Sequence, residues 1–240
     1  MALNEISLNF ISSASLANDP PMWRGIERLR SACLGMILLD IETLSPVGEH
    51  LFTLREAARS VRMGPRRRRE FTAARVALKR LARQLDLVHE NRPDREIETL
   101  GPDDGRPCLD KSGIYCSVSH SSRLVIAVAQ RYPIGIDLEI VSEKVIRTKH
   151  LFMSPREREL VSLSGLGLER AATRLWTIKE ATAKALGLHL FQAFREVEVV
   201  RVGEEDGVMR YQEKTYPVTY AEGNGYVVTL ITCDDQGKSG

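Results

Sequence analysis

Helical periodicity of the apolar positions marks two long regions of the chain. Over residues 71–85 apolar residues recur at three- and four-residue steps, which predicts an amphipathic helix of about twenty residues that begins in the preceding arginines. A second helical region is predicted over about 155–163 and 169–186. Ser154 fits its N-cap, and Gly187 fits the position after its last turn.

Short apolar runs between turn residues predict strands. These runs cover about 32–41, 124–129, 134–140, 197–202, 208–211, 216–220 and 226–231, and a short helix is predicted over about 54–62. A further strand, from Tyr115, is expected to end in a hydroxyl-rich turn that contains His120.

The order of strand, long helix and strands occurs twice along the chain. The helical segments 69–75 and 178–184 are also loosely alike, which favours a duplicated α+β unit, although any two amphipathic helices share a period. We therefore predict a variable leader over 1–25, an N-terminal α+β half over 26–130 and a C-terminal α+β half over 131–240.

Composition narrows the class of protein. The chain has 240 residues, 43% of them hydrophobic, so it can bury a sizeable core. Its net charge is only +2, which does not favour binding to nucleic acid, although residues 66–69 are all arginine. Its four cysteines lack metal-binding spacing and are expected to be reduced. No apolar stretch approaches the roughly 20 residues that cross a bilayer, and no signal-peptide pattern is present, so we expect no membrane and a cytoplasmic location.

Two carboxylates stand two positions apart in an apolar run. In a strand Asp137 and Glu139 would project from one face, where a buried chain does not normally tolerate unpaired charge. Such a pair favours a bound cation. The alternative is a solvated strand end that pairs with nearby Arg or Lys side chains.

The predicted helix around residue 180 places charged side chains among small ones. Trp176, Lys179, Glu180 and Lys184 recur at three- and four-residue spacing, so one side of the helix would carry a stripe of one aromatic ring, two ammonium groups and a carboxylate. An exposed helix with a Glu180–Lys184 pair would explain the stripe without any site. With Asp137 and Glu139, however, Glu180 would complete a set of oxygen ligands for Mg²⁺, and the lysines would neutralise phosphates.

A candidate anion site lies between these two motifs and the basic helix. The segment 117–122 combines several hydroxyls with His120, and the arginines before Phe71 carry guanidinium groups that match phosphate oxygens. A structural histidine and a solvated basic helix start are the alternatives.

In combination these motifs resemble the Sfp-type 4′-phosphopantetheinyl transferases in order and spacing. The motifs are Gly105-Arg106-Pro107, Ser117-Val118-Ser119-His120-Ser121, Gly135-Ile136-Asp137-Leu138-Glu139 and Trp176-x-x-Lys179-Glu180-x-x-x-Lys184-x-x-Gly187. The basic segment 67–75 is similar to the branch that includes siderophore-pathway transferases. The resemblance covers about 66–187, and its departures, Ala74 for a commoner Gly and Val118 for Leu or Asn, remove no functional group.

The resemblance implies an α+β fold of two pseudo-twofold-related halves with the active site in the cleft between them. It implies a Mg²⁺-dependent enzyme that moves the 4′-phosphopantetheine arm of coenzyme A to a serine hydroxyl of an apo acyl, peptidyl or aryl carrier protein, releasing 3′,5′-ADP. A monomer is expected, since one chain would supply both halves.

The resemblance also implies roles for individual residues. Mg²⁺ would be held by Asp137, Glu139 and Glu180, and coenzyme A would contact Arg67, Arg75, Arg106, Ser119, His120, Lys179 and Lys184. Glu180 would act as the base, directly or through a water held by the metal, and Lys184 would stabilise or protonate the departing phosphate.

Two other classes of function remain open. A coenzyme A or nucleotide-binding module would keep the site without transfer, although such a module needs no carboxylate cluster with paired lysines. A nucleic-acid binder could use the arginine run, but the near-neutral charge and the scarcity of suitably spaced aromatic residues disfavour it.

Overall fold

The computed structural model describes residues 23–44, 49–102, 106–109 and 113–234. They form two α+β halves, each with an antiparallel sheet and a long helix, as the resemblance implied. Most of the leader expected over 1–25, and Gly105 of the Gly-Arg-Pro motif, lie outside the described residues. Within the described ranges, no helix combines the length and the apolarity needed to cross a membrane.

The N-terminal half is built on a three-stranded sheet. Its strands are β1 (Gly35–Asp40), β2 (Tyr115–Ser121) and β3 (Leu124–Gln130), with β3 in the middle and antiparallel to both neighbours. Its helices are α1 (Ile26–Ser31), α2 (Leu54–Ser60) and α3 (Pro65–Gln84), and single 3₁₀ turns occupy Ile41–Leu44, Glu49–Leu51 and Asp94–Glu96. The apolar face of α3 packs on β1 and β3 through residues such as Leu78, Leu81 and Val125.

The C-terminal half is built on a five-stranded antiparallel sheet. Its strands are β4 (Ile134–Ile140), β5 (Val197–Val202), β6 (Asp206–Tyr211), β7 (Lys214–Gly223) and β8 (Tyr226–Thr232), in the spatial order β4-β8-β7-β6-β5. Its helices are α4 (Glu143–Arg147), α5 (Lys149–Phe152), α6 (Pro155–Leu163), α7 (Leu168–Leu186) and α8 (Leu190–Glu196). Helix α7 packs across β4 and β8. Strand β4 is therefore an edge strand of its sheet, next to the other half.

Local sequence signals set the ends of the long helices. At α6, Ser154 accepts a hydrogen bond from the Glu157 amide while the Glu157 carboxylate accepts from the Ser154 amide, a reciprocal capping box. Helix α3 starts with Pro65 at its first position, and α7 ends at Gly187 with a φ of 68°. These helices were predicted from their apolar period and caps, and the structure confirms them.

Two predicted features are wrong in detail. His120 lies within β2 rather than in a turn, because the strand continues to Ser121 in register with β3 and the chain turns only at Ser122, which has a φ of 53°. The short helices α1, α4, α5 and α8 were not predicted at all, since none has more than seven residues and none showed a break such as the Gly64-Pro65 pair that marks the end of α2. All four cysteines lie in the described residues, and none forms a disulfide.

The two halves repeat one buried polar arrangement at a separation of about 100 residues. In each half a lysine on the long helix meets the glutamate of a capping box and two backbone carbonyls. Lys79 Nζ donates to Glu56 Oε2 (2.7 Å), Leu51 O (2.7 Å) and Asp94 O (2.8 Å), and Lys179 Nζ donates to Glu157 Oε2 (2.9 Å), Phe152 O (2.7 Å) and Phe194 O (3.1 Å). The repeat pairs Lys79 with Lys179, which is a different correspondence from the loose likeness of 69–75 to 178–184.

The halves join through a shared core and through side chains at the edge of a sheet. The shared core takes Met36, Ile126 and Val128 from the N-terminal sheet and residues such as Leu138 and Val228 from the C-terminal sheet. Beside it β2 and β4 run next to each other, linked by serine side chains of β2. This junction forms the floor of the candidate site.

Candidate active site

A pocket of about 1060 Å³ opens between the two halves. Helix α3 contributes Arg67, Phe71 and Arg75 to its wall, β2 contributes Ser119 and His120, β4 contributes Asp137 and Glu139, and α7 contributes Glu180 and Lys184. A smaller cavity of about 550 Å³, lined by α4 and the start of α7, contains none of these side chains. The larger pocket therefore brings together most of the residues that the sequence motifs singled out.

The carboxylates converge because α7 crosses β4 at unusually close range. Asp137 and Glu139 share one face of β4, as their spacing predicts. A Cβ atom on Gly135 would lie 1.8 Å from the carbonyl oxygen of Ala181, so only glycine allows this approach. The contact places Glu180, the neighbour of Ala181, opposite the two strand carboxylates.

Two of the three carboxyl groups, those of Glu139 and Glu180, have a raised proton affinity. Burial, reinforced by the charge of Asp137, raises the pKa of Glu180 to about 8 and that of Glu139 to about 7. The nearest positive group is Lys184, whose ammonium donates to Asp137 Oδ1 (2.7 Å), Ser119 Oγ (3.0 Å) and the carbonyl of Ile136 (3.0 Å). One ammonium thus faces three acids.

These residues fit a divalent cation. Asp137 is 1% exposed, and its Oδ2 atom is buried with no partner in the described residues other than the carboxyl group of Glu180, which shares a hydrogen bond with Asp137, so a divalent cation could replace the proton between these two acids. No group of three His, Cys, Asp or Glu residues in the described ranges is set to hold a metal ion. The cation that Asp137 contacts is the Lys184 ammonium. The metal assignment stays a prediction.

The raised pKa values predict a falling stability with rising pH in the metal-free protein. Folded Glu180 and Glu139 keep their protons above the usual carboxyl pKa of about 4.5, so the native state binds more protons than the unfolded chain between about pH 4.5 and pH 8. The free energy of unfolding, measured with urea in the presence of a chelator, should therefore decrease across this range. Glu180→Gln should flatten the decrease, and Glu159→Gln, an exposed control on α6, should not. If the free energy of unfolding depended on pH equally in wild type and Glu180→Gln, the raised pKa of Glu180 would be contradicted.

Lys179 does not face the pocket, so its predicted contact with coenzyme A is wrong. Its ammonium is buried on the other edge of α7, against Glu157 and two carbonyls. Burial lowers its pKa, and the Glu157 carboxylate opposes that shift. Trp176 lies on the same edge and packs on Phe152 and Phe194. Lys179 and Lys184 are at opposite edges of the stripe that the sequence indicated, and these edges are too far apart around the helix to face the same pocket.

We expect Lys179→Met to act on stability rather than on ligand affinity. Removing one partner of a buried ion pair leaves an uncompensated charge and costs about 3–5 kcal/mol. Urea unfolding should show a loss of this size, Lys79→Met should show a similar one, and Lys144→Met on the exposed face of α4 should show almost none. A weakened affinity for coenzyme A at unchanged stability would instead support the original assignment.

His120 and Arg67 lie on the pocket wall next to the carboxylates. Burial lowers the pKa of His120, and the charge of Lys184 lowers it further, while Glu70 and Asp137 oppose the shift. Arg67 is exposed at the start of α3 and lines the same wall. Their position is compatible with a phosphate group, and their contacts with coenzyme A stay predictions.

Arg75 and Arg106 line the pocket, and each donates a hydrogen bond to a backbone carbonyl. Arg75 is 5% exposed, donates to the carbonyl of Thr99 (2.7 Å) and stacks on the Phe71 ring, with its Nε lacking a partner in the described residues. Arg106 donates to the carbonyl of Gly187 (3.3 Å) and so connects the two halves across the pocket. Both line the pocket, which keeps their predicted roles open.

Sequence reasoning missed two residues that shape this site. Ser121 donates to Glu139 Oε2 (3.0 Å), whereas from the sequence it was placed only in the hydroxyl-rich segment of the candidate anion site. Gly135 was quoted only as part of a motif, and its packing on α7 was not foreseen. A signal existed for the serine: Ser117, Ser119 and Ser121 alternate along β2 and therefore share a face.

Comparison with known proteins agrees with this geometry. The profile of the 4′-phosphopantetheinyl transferase N-terminal domain matches residues 55–130, and the profile of the 4′-phosphopantetheinyl transferase superfamily matches residues 133–231. The chain belongs to the 4′-phosphopantetheinyl transferase superfamily. The two matches meet between β3 and β4, where the two sheets also meet.

Named members of the superfamily align with about half of the chain or more. The 4′-phosphopantetheinyl transferase gsp of Aneurinibacillus migulanus is 29% identical over 147 residues, covering 60% of this chain and 58% of the relative. HetI of Nostoc sp. is 35% identical over 132 residues, covering 51% and 54%. Enterobactin synthase component D of Escherichia coli K12 is 27% identical over 124 residues, covering 50% and 60%. The chain thus spans less than two thirds of the length of these relatives.

Proposed function

We propose that this protein transfers the 4′-phosphopantetheine arm of coenzyme A to a serine hydroxyl of an apo carrier protein, with Mg²⁺ bound by Asp137, Glu139 and Glu180. The observation that carries the proposal is the convergence of three carboxyl groups and one ammonium in the pocket between the halves of a superfamily member. Bound there, the cation would neutralise charge on the diphosphate of coenzyme A.

The protein's own side chains supply the remaining chemistry. Glu180, which lines the pocket beside Asp137 and Glu139, takes the proton of the carrier serine as the serine oxygen attacks the phosphorus next to pantetheine. The bond from this phosphorus to the bridging oxygen breaks, and 3′,5′-ADP leaves. Lys184, the positive group nearest the carboxylates, stabilises the departing phosphate.

The basic side of the pocket is suited to the nucleotide end of coenzyme A. His120 and Arg67 on the wall, with Arg75 and Arg106 beside them, provide donors that match phosphate oxygens. Arg66 and Arg69, which are exposed at the start of α3, add positive charge beside Arg67. They would attract a carrier protein with an acidic surface. Relatives named enterobactin synthase component D favour a siderophore pathway.

Mass spectrometry of an apo carrier protein tests the proposal. The protein is incubated with coenzyme A, Mg²⁺ and, in turn, apo acyl, peptidyl and aryl carriers, and the intact carrier mass is measured. We expect one carrier class at least to gain one phosphopantetheine group, and the gain to vanish when the carrier serine is replaced by alanine. Binding of coenzyme A with no gain on any carrier would favour the binding-module alternative.

His120→Ala tests the placement of the nucleotide. Loss of a hydrogen bond to a charged group costs about 1.5–3 kcal/mol, so the KM for coenzyme A should rise about tenfold or more. The kcat should change by less than about threefold, since His120 would bind substrate and transition state alike. His150→Ala, on the exposed face of α5, serves as the control. A fall in kcat with an unchanged KM would contradict this placement.

A further inference from the structure

Three serines of β2 form a ladder of hydrogen bonds to β4. Ser117 Oγ accepts from the amide of Ile136 (3.1 Å), and Ser119 Oγ accepts from the amide of Leu138 (3.3 Å). Because β4 pairs with β8 on its other side, these hydroxyls satisfy amides that the edge of the sheet would otherwise leave unpaired. The ladder thus joins the two sheets through side chains.

Two of these serines contact carboxylates: Ser119 does so in addition to its bond to a β4 amide, and Ser121 contacts a carboxylate only. Ser119 Oγ donates to Asp137 Oδ1 (2.8 Å), and Ser121 Oγ donates to Glu139 Oε2 (3.0 Å). A hydroxyl has one donor and two acceptor positions, and Ser119 uses all three, on Asp137, Leu138 and Lys184. Its rotamer is therefore fixed, and it fixes one oxygen of Asp137 in turn. The other oxygen, Oδ2, is the buried atom without a partner in the described residues other than the carboxyl group of Glu180.

We propose that Ser119 and Ser121 are positioning residues, whose hydroxyls orient Asp137 and Glu139 so that the remaining carboxylate oxygens can bind one divalent cation. The inference rests on the proposed function, which supplies the cation. It gives Ser119 a role through Asp137 in place of a direct contact with coenzyme A, since its hydroxyl has no donor left for a phosphate.

Ser117 provides a matched control within the same strand. It has the same side chain, lies on the same face of β2 and bonds the same edge of β4, but its hydroxyl meets a backbone amide and no carboxylate. A purely structural ladder predicts equal effects of Ser117→Ala and Ser121→Ala on metal binding. A positioning role predicts that only the second variant weakens it.

Mn²⁺ binding to the full chain separates these outcomes without any transfer assay. Free Mn²⁺ is measured by electron paramagnetic resonance in the presence of coenzyme A. We expect Ser121→Ala and Ser119→Ala to raise the Mn²⁺ dissociation constant about 10- to 100-fold, as loss of groups that orient metal ligands does. Ser117→Ala should stay close to wild type, and Ser121→Thr, which restores the hydroxyl, should recover most of the affinity.

A double-mutant cycle shows whether Ser121 acts through Glu139. Adding Ser121→Ala to Glu139→Gln should weaken Mn²⁺ binding little further, because the group that the serine orients is already lost. Equal Mn²⁺ affinities in wild type, Ser121→Ala and Ser119→Ala, with transfer intact in the wild type, would overturn this inference alone. No Mn²⁺ binding by the wild type, together with no carrier modification, would overturn the proposed function as well.

Discussion

Asp137→Ala should abolish carrier modification while leaving the protein folded. Asp137 contributes the most buried of the three carboxylates, and losing one preorganised electrostatic group costs up to about 10³-fold in turnover, more if the cation is lost with it. Initial rates with coenzyme A, Mg²⁺ and an apo carrier should therefore fall by at least about 10³-fold. The melting temperature should change little, because the Lys184 side chain is 31% exposed and keeps Glu139 and Glu180 beside it, which limits the cost of the lost contacts to Ser119 and Lys184.

Asp206→Ala is the control for this variant. Asp206 is an exposed carboxylate on β6 that pairs with Arg201, far from the pocket lining. Its loss should leave both rate and stability close to wild type. Transfer by Asp137→Ala within about tenfold of wild type would show that this carboxylate does not serve the reaction.

Gly135→Ala should have the largest effect on structure and activity together. The added Cβ would overlap the Ala181 carbonyl and lie 2.7 Å from the Ala185 amide, and neither backbone group can turn aside. Helix α7 would have to move off β4, carrying Glu180 and Lys184 away from the strand carboxylates. We expect a loss of more than about 3 kcal/mol in urea unfolding, and no detectable transfer by the fraction that stays folded.

The chain offers two graded controls for this glycine. Gly35 holds a corresponding place on β1, but a Cβ there meets the flexible side chains of Leu81 and Leu85 at 2.9 Å and 3.0 Å. Gly64 has open space around it and a φ of −64°. The loss of stability should therefore follow the order Gly135→Ala, Gly35→Ala, Gly64→Ala, the last near zero. A Gly135→Ala protein as stable as Gly64→Ala would refute the close packing of α7 on β4.

The elements that sequence predicted best are those with a long period and clear ends. Helix α3 runs for 20 residues after Gly64, and α7 ends at the predicted glycine, because an apolar stripe and a cap act within one segment. Strand β2 was cut short because serine and histidine are weak strand formers. Its full length depends on pairing with β3, which local sequence does not encode.

The candidate site was predictable where one element sets the geometry. Residues two positions apart on a strand lie on the same face, so the spacing of Asp137 and Glu139 alone predicted that their carboxylates project together. Lys179 was misplaced because it and Lys184 stand at opposite edges of the stripe, and only the folded position of Glu157 shows which edge is buried. The bond from Ser121 to Glu139 was missed because it joins strands that do not pair through their backbones.

Lys184 links the carboxylates to the proposed diphosphate site. Its ammonium donates to Asp137 Oδ1, and the pKa values of Glu139 and Glu180 are raised. A divalent cation would neutralise all three acids more completely than one ammonium does. Lys184 would then be released towards the diphosphate, where its proposed role lies.

A crystal structure with Mn²⁺ and coenzyme A tests most directly whether Asp137, Glu139 and Glu180 share one cation. We expect a single anomalous peak in the pocket, within about 2.5 Å of an oxygen from each of the three carboxylates and in contact with the coenzyme A diphosphate. The Lys184 ammonium should have left Asp137. A peak held by only one of these residues, or placed outside the pocket, would contradict the account.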